Sequence, residues 1–245
     1  MPKDISLALG DRTVVLARTL RWLMAAAISV PLLGQFGSSS AVGDPDAYAF
    51  LSRRSGHELI ARWNPCETIN YRVNLTHAPQ GSLGEVETAV ARITHASGLT
   101  FAYVGTTQVV PGSDPGNYPA GTHLIIAWAV PGQDPKPLAA HAGVGGASYI
   151  PGFTEAGDSA LIIDRGMVLL DATRSSTMTR GRLLLHELGH AVGLAHPLIN
   201  DPQEIMYAHP TAGAATWGAG DLAGLHAVGR SGGCLHADTA LTSRP

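Results

Sequence analysis

Eleven consecutive residues, His186-Glu187-Leu188-Gly189-His190-Ala191-Val192-Gly193-Leu194-Ala195-His196, hold the densest chemistry in the chain. On a helix of about 3.6 residues per turn, His186 and His190 stand roughly 40° apart on one face, so two imidazoles can reach one metal ion. His196 lies six residues further on and would point roughly 240° away from His190 if the helix continued. The helix must therefore end first, and Gly193 is the residue that can end it, because glycine accepts the positive φ that reverses a chain after a helix C-terminus. Three neutral nitrogen ligands leave a fourth position open for water, which separates a catalytic zinc site from a closed structural one. Glu187 follows the first ligand and flanks the ion without pointing at it. Zinc lowers the pKa of a bound water to about 7, Glu187 takes the proton as general base, and a carbonyl polarised by the same ion is attacked. A bare H-x-x-x-H pair also arises on helices as ordinary surface or core histidines. Here five positions share one frame, glycine included, and that favours zinc. Leu183, Leu184, Leu185, Leu188 and Val192 need only a packing role.

The whole motif resembles the metzincin signature of zinc peptidases. Ile205-Met206-Tyr207, ten residues after His196, is similar to the Met-turn of the matrixin branch, in which the methionine forms an apolar floor under the zinc without ligating it. Thr68 to Asn74 resembles the first strand of a matrixin catalytic domain, Glu85 to Ser97 its first long helix, and Leu99 to Tyr103 its second strand. Trp217 to Leu225 is similar to the start of its C-terminal helix, and Arg62-Trp63-Asn64-Pro65-Cys66 looks most like small secreted bacterial members. The likeness covers roughly residues 60 to 235. It implies an α+β fold: a twisted, mixed, five-stranded sheet, two long helices, and a small C-terminal subdomain after Gly193 that holds His196 and Met206. It further implies that Leu138 to Gly146 is an edge strand to which an extended peptide adds by main-chain hydrogen bonds. Ala140, Ala142, Val144 and Tyr207 are the substrate-binding candidates on that basis.

The departures from the family pattern matter too. No Pro-Arg-Cys-Gly-type propeptide switch is present, since Cys66 sits in Asn-Pro-Cys-Glu close to the first strand. Matrixins hold a second, structural zinc through several His and an Asp. Here Leu138 to Ala142 resembles the strand carrying one such ligand, but Gly157-Asp158-Ser159-Ala160 has Ala where another His would sit, so the second zinc is not expected and His141 reads as a strand residue. Asp158, Asp164 and Asp171 supply oxygens that calcium takes, though in no regularly spaced loop of carboxylates.

Composition limits the alternatives. Charged residues make up 14% of 245, well below the usual quarter, and the net charge of -3 gives no cationic surface for nucleic acid. Lys3, Arg12, Arg18 and Arg21 precede an apolar run from Trp22 to Gly34. That run is too short for a bilayer core of about 30 Å but suits a secretory leader, with small residues at Ser39-Ser40-Ala41 where a signal peptidase reads. The alternatives are an uncleaved membrane anchor or a buried helix, the latter opposed by Pro31. Export makes the two cysteines, Cys66 and Cys234, a disulfide pair, with two buried thiols as the other reading. The expected organisation is a signal peptide over 1–41, a lead-in over 42–62, a metallopeptidase domain over 63–236 and a tail over 237–245.

Apolar and β-branched runs predict strands at 68–75, 99–104, 123–130, 144–150 and 160–170. Helices are predicted at 83–97, 177–193 and 219–228, and the Pro, Gly and Asn between Thr106 and Gly121 predict a loop. The expected function is a secreted zinc endopeptidase acting on proteins or peptides, with no stable membrane association after leader removal. A non-proteolytic zinc-bound peptide-binding module and a zinc hydrolase of some non-protein amide remain open beside it. The intact Glu187 speaks against the first.

Overall fold

The computed structural model describes residues 41–51, 59–112, 115–132, 138, 141–174, 180–209, 211 and 213–238. Residues 1–40 of the expected 1–41 leader, the end of the tail over 239–245, the predicted helical residues 177–179 and the candidate Ala140 lie outside them. The described chain runs through β1 (Ala49–Phe50), β2 (Ala61–Arg62), β3 (Thr68–Asn74), α1 (Ser82–Ser97), β4 (Thr100–Thr106), β5 (Leu124–Ala129), β6 (Gly143–Thr154) and β7 (Ser159–Asp171). It ends with α2 (Arg180–Ala191), β8 (Leu194–Ala195), α3 (Ala219–Val228) and β9 (Leu235–Ala237). This is a mixed α+β fold with three helices among the described residues.

The main sheet has seven strands, ordered β4-β3-β5-β7-β6-β9 with β2 also paired to β7, and it corrects the expected five. The two extra strands are two and three residues long, too short to show a period in sequence, and they join the sheet through partners roughly 80 to 100 residues away along the chain. β3, β4, β5 and β7 are mutually parallel where they pair, whereas β6 runs antiparallel to β7. Central β5, Leu-Ile-Ile-Ala-Trp-Ala, is buried throughout, as a strand covered on both faces must be.

Alternation sorts the side chains. Ile69, Tyr71 and Val73 of β3 meet Leu124, Ile126 and Trp128 of β5 and Val86, Val90 and Ile93 of α1 in the main core, which also takes Leu184, Leu185 and Leu188 of α2. Ala127, Ala129 and Leu169 face the other way, into a smaller cluster with Leu138. Along β7 the core-facing residues change phase, from Leu161 and Ile163 to Val168 and Leu170. The reason is a bulge: Ser148 pairs with Arg165 and Tyr149 with Ile163, leaving Asp164 as the extra residue, and one extra residue flips every later side chain.

α1 buries Val86, Ala89, Val90 and Ile93 at helical spacing and stops at Gly98, whose φ of 72° closes it with an N–H bond to Thr94 O. α2 ends with Gly193 at φ 111°. A Cβ there would stand 2.6 Å from Ala61 O, so the glycine serves both the reversal and the close approach to β2. Buried Trp63 donates its indole N–H to Ala191 O at 3.0 Å, satisfying a carbonyl at that helix end. β1 then pairs with β8, Ala49 opposite Ala195 and Phe50 opposite Leu194, and holds the residues immediately before His196. Cys66 and Cys234 are joined, with Cα atoms 5.5 Å apart.

Candidate metal centre

The helix–glycine–strand sequence of α2, Gly193 and β8 brings the three histidines together. His196 Nε2 lies 3.0 Å from His186 Nε2 and 3.1 Å from His190 Nε2. His186 Nδ1–H donates to Ile205 O at 2.7 Å and His190 Nδ1–H to Leu194 O at 2.8 Å. Each of those bonds places the proton on Nδ1, so the Nε2 lone pairs face one another. Lone pairs at such separations repel unless a Lewis acid lies between them, and nitrogens bound at 2.0–2.1 Å around one tetrahedral ion would stand roughly 3.3 Å apart. The donor set therefore fits zinc. This is the one cluster of three metal-ligating side chains among the described residues. Asp158, Asp164 and Asp171 are spread along the β6–β7 turn and β7, with Asp164 accepting from Ser148 Oγ and Asp171 from Thr173.

Electrostatics agree with the ligand role. Burial, then the neighbouring His186, pushes the His190 imidazole down to about 3. Burial likewise lowers His186 and His196, so all three favour the neutral form that binds metal. Glu187 is 5% exposed, and burial pushes its carboxyl up to about 7, partly offset by a hydrogen bond from Gly145 N–H. A carboxyl held near neutrality can both take and return a proton.

These residues line a cavity of about 480 Å³ between α2, the start of β6 and the segment after Met206. Its geometry depends on glycines. A Cβ on Gly143 would meet Glu187 Oε1 at 2.8 Å, and one on Gly145 would collide with the Glu187 carbonyl oxygen, so α2 can lie against β6 only because both lack side chains. Met206 is buried with its sulfur against Gly189, between the helical turns that carry His186 and His190, and a Cβ on Gly189 would displace it.

Of the substrate-binding candidates, Ala142, Val144 and Tyr207 line the cavity. The Val144 side chain packs with the small cluster on the far face of the sheet, so it meets the cavity through its backbone. Pairing with β9 occupies Gly152 to Thr154 of β6, Pro151 O accepts from Asp238 N–H, and among the described residues nothing pairs with the outer edge from Gly143 to Ile150. His141 is not the strand residue expected from the sequence. It stands two residues before β6, exposed, on the cavity lining, because the chain enters the sheet only where the glycine-rich run can pass α2.

A buried carboxyl pair was not singled out by sequence. Asp221, at the third position of α3, accepts from Ile205 N at 2.5 Å, Met206 N at 3.0 Å and Gly218 N at 3.0 Å. It thus holds the peptide whose carbonyl orients His186. Glu204 is fully buried beside it and accepts from Asp221 N at 2.7 Å. Burial, reinforced by the Asp221 charge, raises the Glu204 pKa. An acid in the first turn of a helix is a legible capping signal, but nothing local shows that it reaches 16 residues back to the loop beside the three-histidine cluster.

No family model and no curated protein matches the sequence. Among solved structures the chain is similar to high choriolytic enzyme 1, a hatching enzyme zinc-protease from Oryzias latipes (Medaka fish), at 12% identity and a TM-score of 0.30. The match covers 60% of this chain and spans just over half, 55%, of that one.

Proposed function

We propose that this chain is a secreted, matrixin-like zinc endopeptidase in which Glu187 serves as general base and then as proton donor. The observation that carries the reading is the convergence of three Nε2 atoms, two of them with Nδ1 committed to backbone carbonyls, beside the buried Glu187 carboxyl in one cavity. Zinc bound by His186, His190 and His196 would acidify water and polarise a carbonyl. The chain's own groups account for the rest. The open edge of β6 from Gly143 offers main-chain donors and acceptors to an extended peptide. Glu187 Oε would accept a proton from water and pass it to the leaving amine nitrogen, and Gly145 N–H steadies the carboxylate before the first transfer and after the second. Met206 and Gly189 keep the floor of the site apolar. Export rests on the basic and apolar leader over 1–41 together with the Cys66–Cys234 bridge. No helix among the described residues is long and apolar enough to cross a membrane.

The test is cleavage of an unstructured protein by the zinc-loaded chain and by its Glu187→Gln variant. The variant should keep one zinc per chain, by elemental analysis, and lose at least about 10²-fold in turnover, the usual scale of general-base catalysis. Wild-type turnover by zinc-replete Glu187→Gln would refute the mechanism. Removing zinc with a chelator should abolish cleavage, and re-adding it should restore it.

A further inference from the structure

The cavity wall carries two guanidinium groups. Beyond the ligands and Glu187, its lining includes Arg174, Arg182, His141 and His209, and among the described residues it includes no carboxylate other than Glu187. The two arginines differ in what they are free to do. Arg182 spends its guanidinium on the backbone oxygens of Ala214, Pro202 and Glu204, with the Asp221 and Glu204 carboxyls close enough to balance its charge. It is a clamp on the segment after His196. Arg174 stands at the end of β7, its side chain half exposed, with Nε 3.2 Å from Asp171 Oδ2. Asp171 is fully buried and anchored by Thr173, whose N–H and Oγ1 both donate to Oδ1. The carboxylate thus acts as a fixed pedestal for one edge of the guanidinium, and the fork of two terminal nitrogens is not engaged by any described residue.

We infer that the cavity selects peptides carrying a carboxylate side chain near the scissile bond, and that Arg174 is the specificity-determining residue. A guanidinium fork matches a carboxylate in two parallel hydrogen bonds. A lysine in the same place would meet Arg174 with like charge, so rejection adds to attraction. The inference rests on the peptidase reading, and its test separates the two.

Peptides identical except for one position, walked from three residues before the scissile bond to three after it, would carry Asp, Glu, Ala or Lys there. Cleavage by the zinc-loaded full chain gives kcat/KM, and binding of the same peptides to zinc-loaded Glu187→Gln gives affinity without turnover. At one or two positions Asp or Glu should exceed Ala by about fivefold or more, and Lys by more again, with the preference shrinking as salt rises. Arg174→Ala should flatten the preference, and Arg174→Lys should restore part of it, with zinc content and thermal unfolding showing that both variants fold. Cleavage without acidic preference overturns the inference and leaves the peptidase reading standing. A preference that survives Arg174→Ala overturns the assignment to that residue. Preferential binding of acidic peptides with no cleavage of any peptide supports the inference and overturns the peptidase reading.

Discussion

Asp221 anchors the loop that orients one histidine of the candidate metal centre. It accepts three buried N–H groups, two of them from the Ile205-Met206 pair, and Ile205 O in turn receives the His186 Nδ1 proton. Asn at this position presents one acceptor oxygen and an NH2, so at least one buried N–H would face a donor, a loss of about 1–3 kcal/mol. Asp221→Asn should lower zinc affinity about 10- to 100-fold, the usual effect of removing a group that orients a ligand. Competition with a chromophoric chelator measures it, and unchanged affinity would show that the loop holds itself. Glu204 makes the neighbouring prediction. Its pKa is raised in the fold by burial and by Asp221. A carboxyl of this kind contributes stability that is full below the ordinary glutamate value near 4.5 and is lost as pH rises through the raised folded value. Glu204→Gln removes the titration and should flatten the decline of Tm on the alkaline side of pH 5. Thermal unfolding across pH 5 to 8 is the check, and an unaltered slope in the variant would place the dependence elsewhere.

At the scale of elements, the decisive contact is α2 lying directly on β6. Gly143 and Gly145 allow it, and the same contact buries Glu187 and supplies the N–H that steadies it. Gly145→Ala would set a methyl into the Glu187 carbonyl oxygen and force the helix away from the strand. Overpacking of this kind costs about 1–3 kcal/mol. The chemistry should suffer more, since a displacement of about 1 Å at a reacting group can cost on the order of 10²-fold. Gly145→Ala is therefore expected to retain zinc, because the three histidines and the two carbonyls that orient them sit on α2, on β8 with the residue that follows it, and on the Met206 loop, while kcat/KM falls at least tenfold. Paired zinc and kinetic measurements decide it. A fully active variant would mean that Glu187 does not need this strand.

Across the whole molecule, the Cys66–Cys234 bridge closes a sequence separation of 168 residues. Arg62 Nη1 reinforces the same junction by donating to Gly233 O at 2.7 Å, and Asn64 Nδ2 donates to Leu235 O at 3.0 Å. The bridge thus ties the start of β3 to the start of β9, near the two ends of the described domain. In the chain-entropy account a loop of this length is worth about 5 kcal/mol. Replacing both cysteines by serine should lower Tm by about 10–20 °C for a domain of this size, with zinc stoichiometry unchanged in the folded protein. A shift of only a degree or two would mean that Arg62 and Asn64 suffice to hold the junction.

Local spacing was enough to point to the three-histidine cluster, the reversal at Gly193 and the runs that become α1, α3, β3, β5 and β7, because each depends on residues within a turn or a strand of one another. Cysteine count, with the export expected from residues 1–41, suggested the bridge without any geometry. Tertiary structure alone decided the rest, because the partners are distant in sequence. β2 and β9 acquire strand form only by meeting β7 and β6. Asp164 becomes a bulge only through its pairing with β6. Val144 turns its side chain from the cavity because the glycines on either side of it must face α2. Asp221 and Glu204 look like unremarkable acids until the chain folds α3 against the loop after His196, and Arg174 becomes a cavity residue only where β7 ends beside α2. Short-range periodicity is written in the residues themselves, whereas register, burial and convergence depend on which distant segments pack together.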